Sequence, residues 1–105
     1  MSTTPSENYT QNSTKTRIAV VIPAYNAEKS IETVLARIPA SVDLIVVVND
    51  ASPDGTEALV RQHADPRIHL VAHTKNHGVG GALLTGYAYA LHLDADIVVK
   101  VDSDA

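Results

Sequence analysis

Near its C-terminal end the chain carries two carboxylates one residue apart, Asp102 and Asp104, in the stretch VVKVDSDA. Val98, Val99 and Val101 read as a buried strand, and where a strand ends its side-chain alternation relaxes, so both acids can turn toward one crevice. Hard oxygen ligands of this kind suit Mg²⁺ or Mn²⁺, which fills the rest of its shell with waters and substrate phosphates. The same Asp-Ser-Asp also makes an ordinary solvated turn, since these residues bond readily to local backbone. So short a motif does not choose between the two.

A second polar cluster, NDASPDGT, follows another apolar run. Asp50 closes that run, and its carboxylate is able to accept hydrogen bonds from the edge of a nucleobase. Asn49, Ser52, Pro53 and Gly55 equally support a plain turn, and Asp54 with Glu57 has the spacing of a helix capping box. NHGVGGALLTG is glycine-rich and precedes a helix, but it lacks the Gly-Lys-Ser/Thr of a P-loop. It also has Leu83 where a dinucleotide fingerprint needs its third glycine. What it offers is close backbone approach at a helix N-terminus, which favours anions. Gly86, further on, marks tight packing of helix on sheet. His69, His73 and His77 are spaced by four, yet the spacing crosses a strand and a loop, so it aligns no zinc ligands. No Ser-His-Asp or Cys-His set is legible.

The bulk composition narrows the classes. A net charge of −4 leaves no basic stripe to neutralise phosphates, which excludes a nucleic-acid binder. The absence of cysteine excludes a disulfide scaffold or thiolate metal site. All four aromatics are Tyr, so the core must be aliphatic. At 105 residues there is room for one domain. Residues 1–16 are polar throughout and read as a disordered tail without the apolar stretch of a signal peptide; Asn8 and Asn12 within it fall in sequons read as chance matches. No apolar run reaches the roughly 20 residues of a membrane span.

The elements that must position these clusters follow from periodicity. RIAVVI (17–22) reads as a buried parallel strand that stops at Pro23. Ile31, Val34, Leu35 and Ile38 form the stripe of an amphipathic helix closed by Pro39. DLIVVV (43–48) is a second strand, residues 55–64 a helix, RIHLVA (67–72) a third strand, and DIVVKV (96–101) a fourth. A helix near 80–93 presents Leu83, Tyr87, Ala90 and Leu91 inward. Strict β-α alternation predicts a doubly wound α/β fold on a mainly parallel sheet with right-handed crossovers. With strand order 3-2-1-4, PAYNA, NDASPDG and DSDA converge at the carboxyl ends of the strands, where such sheets bind ligands.

Taken together and in this order, VVIPAYNAEKSI, IVVVNDASPDGT, NHGVGGALLTGYAYAL and VVKVDSDA resemble the N-terminal half of a family 2 glycosyltransferase, from Ile18 onward. The glycine-rich segment and the VKVDSD ending are most similar to the polyprenyl-phosphate sugar synthase branch. The resemblance implies an inverting enzyme of GT-A, Rossmann-like fold that binds a UDP- or GDP-sugar with Mg²⁺ or Mn²⁺, acting on a polyprenyl phosphate or a growing glycan. It implies a site in which Pro23 shapes the first loop, Tyr25 and Asn26 meet base or ribose, and Glu28 matches an acidic position after that loop. It also implies that Asp50 bonds the base edge, that Asn76 and Gly78 close over the nucleotide, and that Asp102 and Asp104 serve the metal, with Asp102 also near the ribose. Asn49 and Ala51 depart from the family's Asp and Gly at the second loop, and Ala51 reaches φ > 0 only at a cost. The resemblance further implies a nucleotide-sugar-binding part spanning 17–105, an acceptor half with its general base beyond Ala105, and no sugar transfer by these residues alone. It places the protein in the cytoplasm, or on the cytoplasmic membrane face if the parent has membrane segments. Left without its later strands, the fourth strand is expected to be an edge with uncovered apolar faces. Two alternatives stand beside this reading: a non-catalytic nucleotide-binding fragment and a nucleotidyltransferase.

Overall fold

The computed structural model describes residues 15–104. The expected tail falls almost wholly outside them, as do both sequons. Within them the chain runs β1 (Ile18–Ala24), α1 (Ile31–Ala36), β2 (Leu44–Asn49), α2 (Thr56–Gln62), β3 (Ile68–Ala72), α3 (Gly78–His92) and β4 (Ile97–Lys100). The four strands form one all-parallel sheet in the order β3-β2-β1-β4. This is the doubly wound α/β arrangement expected, consistent with a GT-A domain.

Handedness explains why helices cover both faces. From β1 through β3 the chain moves steadily to one side, and α1 and α2 pack with Val20, Ile22, Ile45 and Val47 on one face. The step from β3 to β4 reverses direction across the sheet, so a right-handed crossover must use the opposite face. There α3 lies on Ala19, Val21, Val46 and Val48. β2, covered on both sides, is buried at every position, which is why its sequence is a continuous aliphatic run. β4 is the exception: Ile97 and Val99 are exposed, since no helix of the described residues covers that side of the edge strand.

Three local expectations are corrected. β1 does not stop at Pro23 but continues to Ala24, with Pro23 opposite Val48. Along β1, Ile18 and Ala24 offer their carbonyls to the β2 side, whereas Val21 accepts from Val101 on the β4 side. By that alternation Pro23 faces β4, where the next rung would need its missing N–H as donor. The β1–β4 pairing accordingly ends at Val21 opposite Lys100, and the chain beyond diverges.

α3 turns a ridge of small residues to the sheet, with Ala82, Gly86 and Ala90 buried and Leu83 and Tyr87 flanking them. Leu91, one residue past Ala90, is thereby rotated outward and 62% exposed. The capping box at α2 is half formed. Asp54 Oδ1 accepts the Thr56 N–H at 3.1 Å, but Glu57 turns instead to Asn49 and Arg61.

Candidate functional site

Each strand of the sheet's middle hands its chain to a loop at the same end, and the loops are stitched to one another. Three successive amides after β1 donate to the turn after β2. Asn26 N–H reaches Ser52 Oγ (2.9 Å), Ala27 N–H reaches Thr56 Oγ1 (3.0 Å) and Glu28 N–H reaches Asp54 Oδ2 (3.2 Å). In return Glu28 Oε1 accepts the Gly55 N–H at 2.9 Å. Ser30 Oγ donates to the Ser103 carbonyl at 2.6 Å and fastens the segment after β4 to the start of α1. Ser52 Oγ also bonds Asp54 Oδ1.

These loops enclose an open cavity of about 580 Å³ at the carboxyl ends of β1, β2 and β4. Of the residues singled out from sequence, Pro23, Tyr25, Asn26, Asp50, Asn76, Gly78, Asp102 and Asp104 line it. Glu28 is not brought there, because its carboxylate is spent on Gly55. The cavity also holds Val79, Ala82, Lys100 and Ser103, which the sequence reading passed over. Tyr25 stands 48% exposed at the cavity, whereas Asp50 is almost wholly buried.

Asp50 is held from three directions. Its backbone N–H extends the ladder to Ala24, its Oδ1 accepts the His77 N–H at 2.8 Å, and the same oxygen lies 2.8 Å from His73 Nδ1. On the far side of the ring, His73 Nε2 lies 2.8 Å from Thr85 Oγ1 on α3. Burial pushes the Asp50 carboxyl up, but the His73 ring and the backbone N–H groups of His77 and Gly78 outweigh it and hold the group below the usual carboxylate range. Asn76 fixes the loop around it, donating Nδ2 to the Asp50 carbonyl (3.2 Å) and accepting the Gly78 N–H (3.0 Å). An Asp-His-Thr line therefore exists where no hydroxyl triad was legible, but Thr85 is not among the cavity's lining residues, so its hydroxyl is no nucleophile for a ligand there. A signal for His73 was present: it is the first residue after β3, as Asp50 is after β2, and parallel register sets the two side by side.

Across the cavity, Asp102 Oδ1 is 3.2 Å from Lys100 Nζ, and both acids remain exposed. Among the described residues no three His, Cys, Asp or Glu side chains cluster as a ready metal cage. Two carboxylates at an open cavity fit a hard cation that takes its other ligands from a diphosphate and water, and do not fit an all-protein zinc or calcium site.

In the second loop Ala51 takes φ 61, in the left-handed region. Asn49 is buried and organises the turn, accepting the Ser52 N–H at 3.1 Å and donating to Glu57 at 3.1 Å.

The profile of "Glycosyl transferase family 2" matches residues 19–105. The chain belongs to this family. Among its curated relatives is the undecaprenyl-phosphate mannosyltransferase of Micrococcus luteus, 37% identical over a 92-residue alignment that covers 84% of this chain and 38% of that protein. The polyprenol monophosphomannose synthase of Mycolicibacterium smegmatis is 36% identical, over 84% of this chain and 35% of its own length. A UDP-N-acetylglucosamine–dolichyl-phosphate N-acetylglucosaminyltransferase of Methanococcus voltae is 33% identical, over 83% of this chain and 41% of its own. This family 2 chain thus spans between a third and about two fifths of the length of these relatives. Family membership displaces the nucleotidyltransferase alternative. No helix among the described residues is long and apolar enough to cross a membrane.

Proposed function

We propose that this domain is the donor-binding part of an inverting glycosyltransferase that takes a nucleoside diphosphate sugar and delivers the sugar to a lipid phosphate on the cytoplasmic side of a membrane. One observation supports this most: a single cavity places Tyr25, Asn26, Asp50, Asn76 and Gly78 on one side and Asp102, Asp104 and Lys100 on the other. The first group suits a nucleoside, with an aromatic face to stack on and a buried carboxylate to accept from the base edge. The second suits a diphosphate, with two acids for a divalent ion and an ammonium for residual charge.

In this reading Pro23 keeps the gap between β1 and β4 open, Asp104 is the direct cation ligand, and Asp102 lies nearer the ribose or the cation's waters. Glu28 acts indirectly, bracing the first loop against the second. Mg²⁺ or Mn²⁺ bound by Asp102 and Asp104 would supply charge stabilisation to the departing diphosphate. The base that deprotonates the acceptor belongs to the acceptor side of the whole protein. The lipid phosphate acceptor is inferred from what the relatives' names state of them.

Calorimetric titration with UDP and with GDP tests the reading. Tyr25→Ala and Asp50→Asn should each weaken whichever nucleotide binds by roughly tenfold, since a stacking contact or a charge-assisted hydrogen bond is worth about 1–3 kcal/mol. Unchanged affinity in both variants would place the nucleoside elsewhere.

A further inference from the structure

We infer that His73, with Thr85 behind it, is a positioning residue that makes Asp50 an acceptor-only group and so sets which nucleobase the cavity takes. The inference rests on the reading of the cavity as a nucleotide site and assigns a role within it to two residues that the cavity itself does not contact.

The geometry is specific. Asp50 Oδ1 carries both the His77 N–H and the His73 ring at 2.8 Å, while Oδ2 takes neither of these bonds. Asp50 lines the cavity, with the Gly78 N–H also turned toward its carboxylate; in this proposal Oδ2 is the oxygen that meets a ligand. His73 is itself largely enclosed, its side chain 13% exposed, and its ring meets the His77 ring edge-on at 4.7 Å between centroids. A carboxylate accepts only, so Nδ1 of His73 must carry a hydrogen. In the neutral ring that leaves Nε2 as an acceptor, which the Thr85 hydroxyl at 2.8 Å satisfies. The Asp50 carboxylate thus selects the tautomer, and the Thr85 hydroxyl satisfies the ring's other nitrogen. Thr85 sits on α3, whose small-residue ridge seats it against the sheet, so the far end of the line is anchored to a rigid element.

The consequence is a choice between bases. An acceptor-only Oδ2 pairs with the ring N–H of uracil or guanine. It faces lone pair to lone pair with the ring nitrogen at the equivalent edge of cytosine or adenine. Without the donated hydrogen from His73, a buried carboxyl has reason to hold its proton, and a protonated acid bonds either kind of edge.

The test compares UDP with CDP, GDP with ADP, and inorganic pyrophosphate as a base-free probe, by calorimetry at neutral pH with Mn²⁺ present. The wild-type chain should favour UDP over CDP, or GDP over ADP. His73→Leu should shrink that ratio by roughly tenfold, the scale of one charge-assisted hydrogen bond, while pyrophosphate affinity stays within about twofold. His73→Asn, whose amide nitrogen can stand where Nδ1 stood, should restore most of the ratio. Thr85→Val should lower it by a smaller factor. A uniform loss across nucleotides and pyrophosphate would assign His73 a structural role and overturn the inference, as would variants that discriminate like the parent. If the parent binds neither UDP nor GDP better than pyrophosphate, the nucleotide reading of the cavity falls and this inference with it.

Discussion

Gly86 presses its backbone against Val21: a Cβ built on it would fall inside the van der Waals shell of Val21 Cγ1 and 3.2 Å from Val48 Cγ2. Two central strands and the longest helix meet at that point. Their separation is fixed by the absence of a side chain, and with it the distance from Thr85, the preceding residue, to His73 on the sheet side.

Gly86→Ala is therefore expected to destabilise the domain by about 1–3 kcal/mol through overpacking, against an opposing gain in helix propensity of up to about 1 kcal/mol. Chemical denaturation of both proteins checks this. A variant as stable as the parent would mean that α3 lifts from the sheet without cost.

Ala51→Gly should act in the other direction. An L-residue in the left-handed region costs about 1–2 kcal/mol, and Ala51 stands there at φ 61. Glycine removes that strain and gives back about 0.5–1 kcal/mol in unfolded-chain entropy. A net gain of about 0.5–1 kcal/mol is expected in thermal or urea melts; a loss would show that the Ala51 methyl makes a contact worth more than the strain.

Acid should unpick the loop junction. Burial pushes the Asp54 carboxyl up, but bonds from Ser52, from the Thr56 hydroxyl and N–H, and from the Glu28 N–H bring it down to about 2. A group whose folded value lies below its unfolded value of about 3.9 stabilises the fold above that unfolded value and loses the contribution as pH falls toward about 2. Asp50 and Asp65 are lowered too and add to the same trend. Stability should therefore decline from about pH 5 downward, and Asp54→Asn should flatten part of that decline. Parallel pH–stability curves for parent and variant would remove Asp54 from the account.

Divalent cation and nucleotide should bind together. If Asp102 and Asp104 hold an ion shared with a diphosphate, the nucleotide that binds should do so at least tenfold more tightly with Mn²⁺ than with EDTA, and Asp104→Ala should erase the difference. Equal affinity in both buffers for the parent would sink the assignment.

Much of this was legible because it depends on patterns that local physics enforces. The α/β class followed from β-α alternation, and the cavity's position followed from strand order 3-2-1-4, a premise of the sequence reading that the sheet meets. The misreadings share a cause: they turn on which neighbour a residue meets. Pro23 looked like a terminator because a proline inside a central strand is unusual, and only the shortness of β4 on that side accommodates it. Leu91 looked like a core residue because large apolar side chains usually win the interface, yet Gly86 gave it to Ala82 and Ala90. Glu57 was placed by its spacing along the chain. It instead bonds Asn49 at the end of β2 and Arg61 one turn on. His73 was dismissed on its spacing to other histidines, when the relevant neighbour was Asp50, 23 residues earlier.

Pro23 has one further consequence. Pairing of adjacent parallel strands propagates like a zipper, each rung bringing the next donor and acceptor into reach. The slider on the β1–β4 seam halts after Val101 donates to Val21, because the following tooth, a hydrogen on residue 23, was never made. That stop is written in covalent structure, so it is indifferent to pH, salt and the presence of a guest. The mouth between the two strands needs no ligand to wedge it apart, and an arriving molecule meets a slot that the bare sheet has no means of closing.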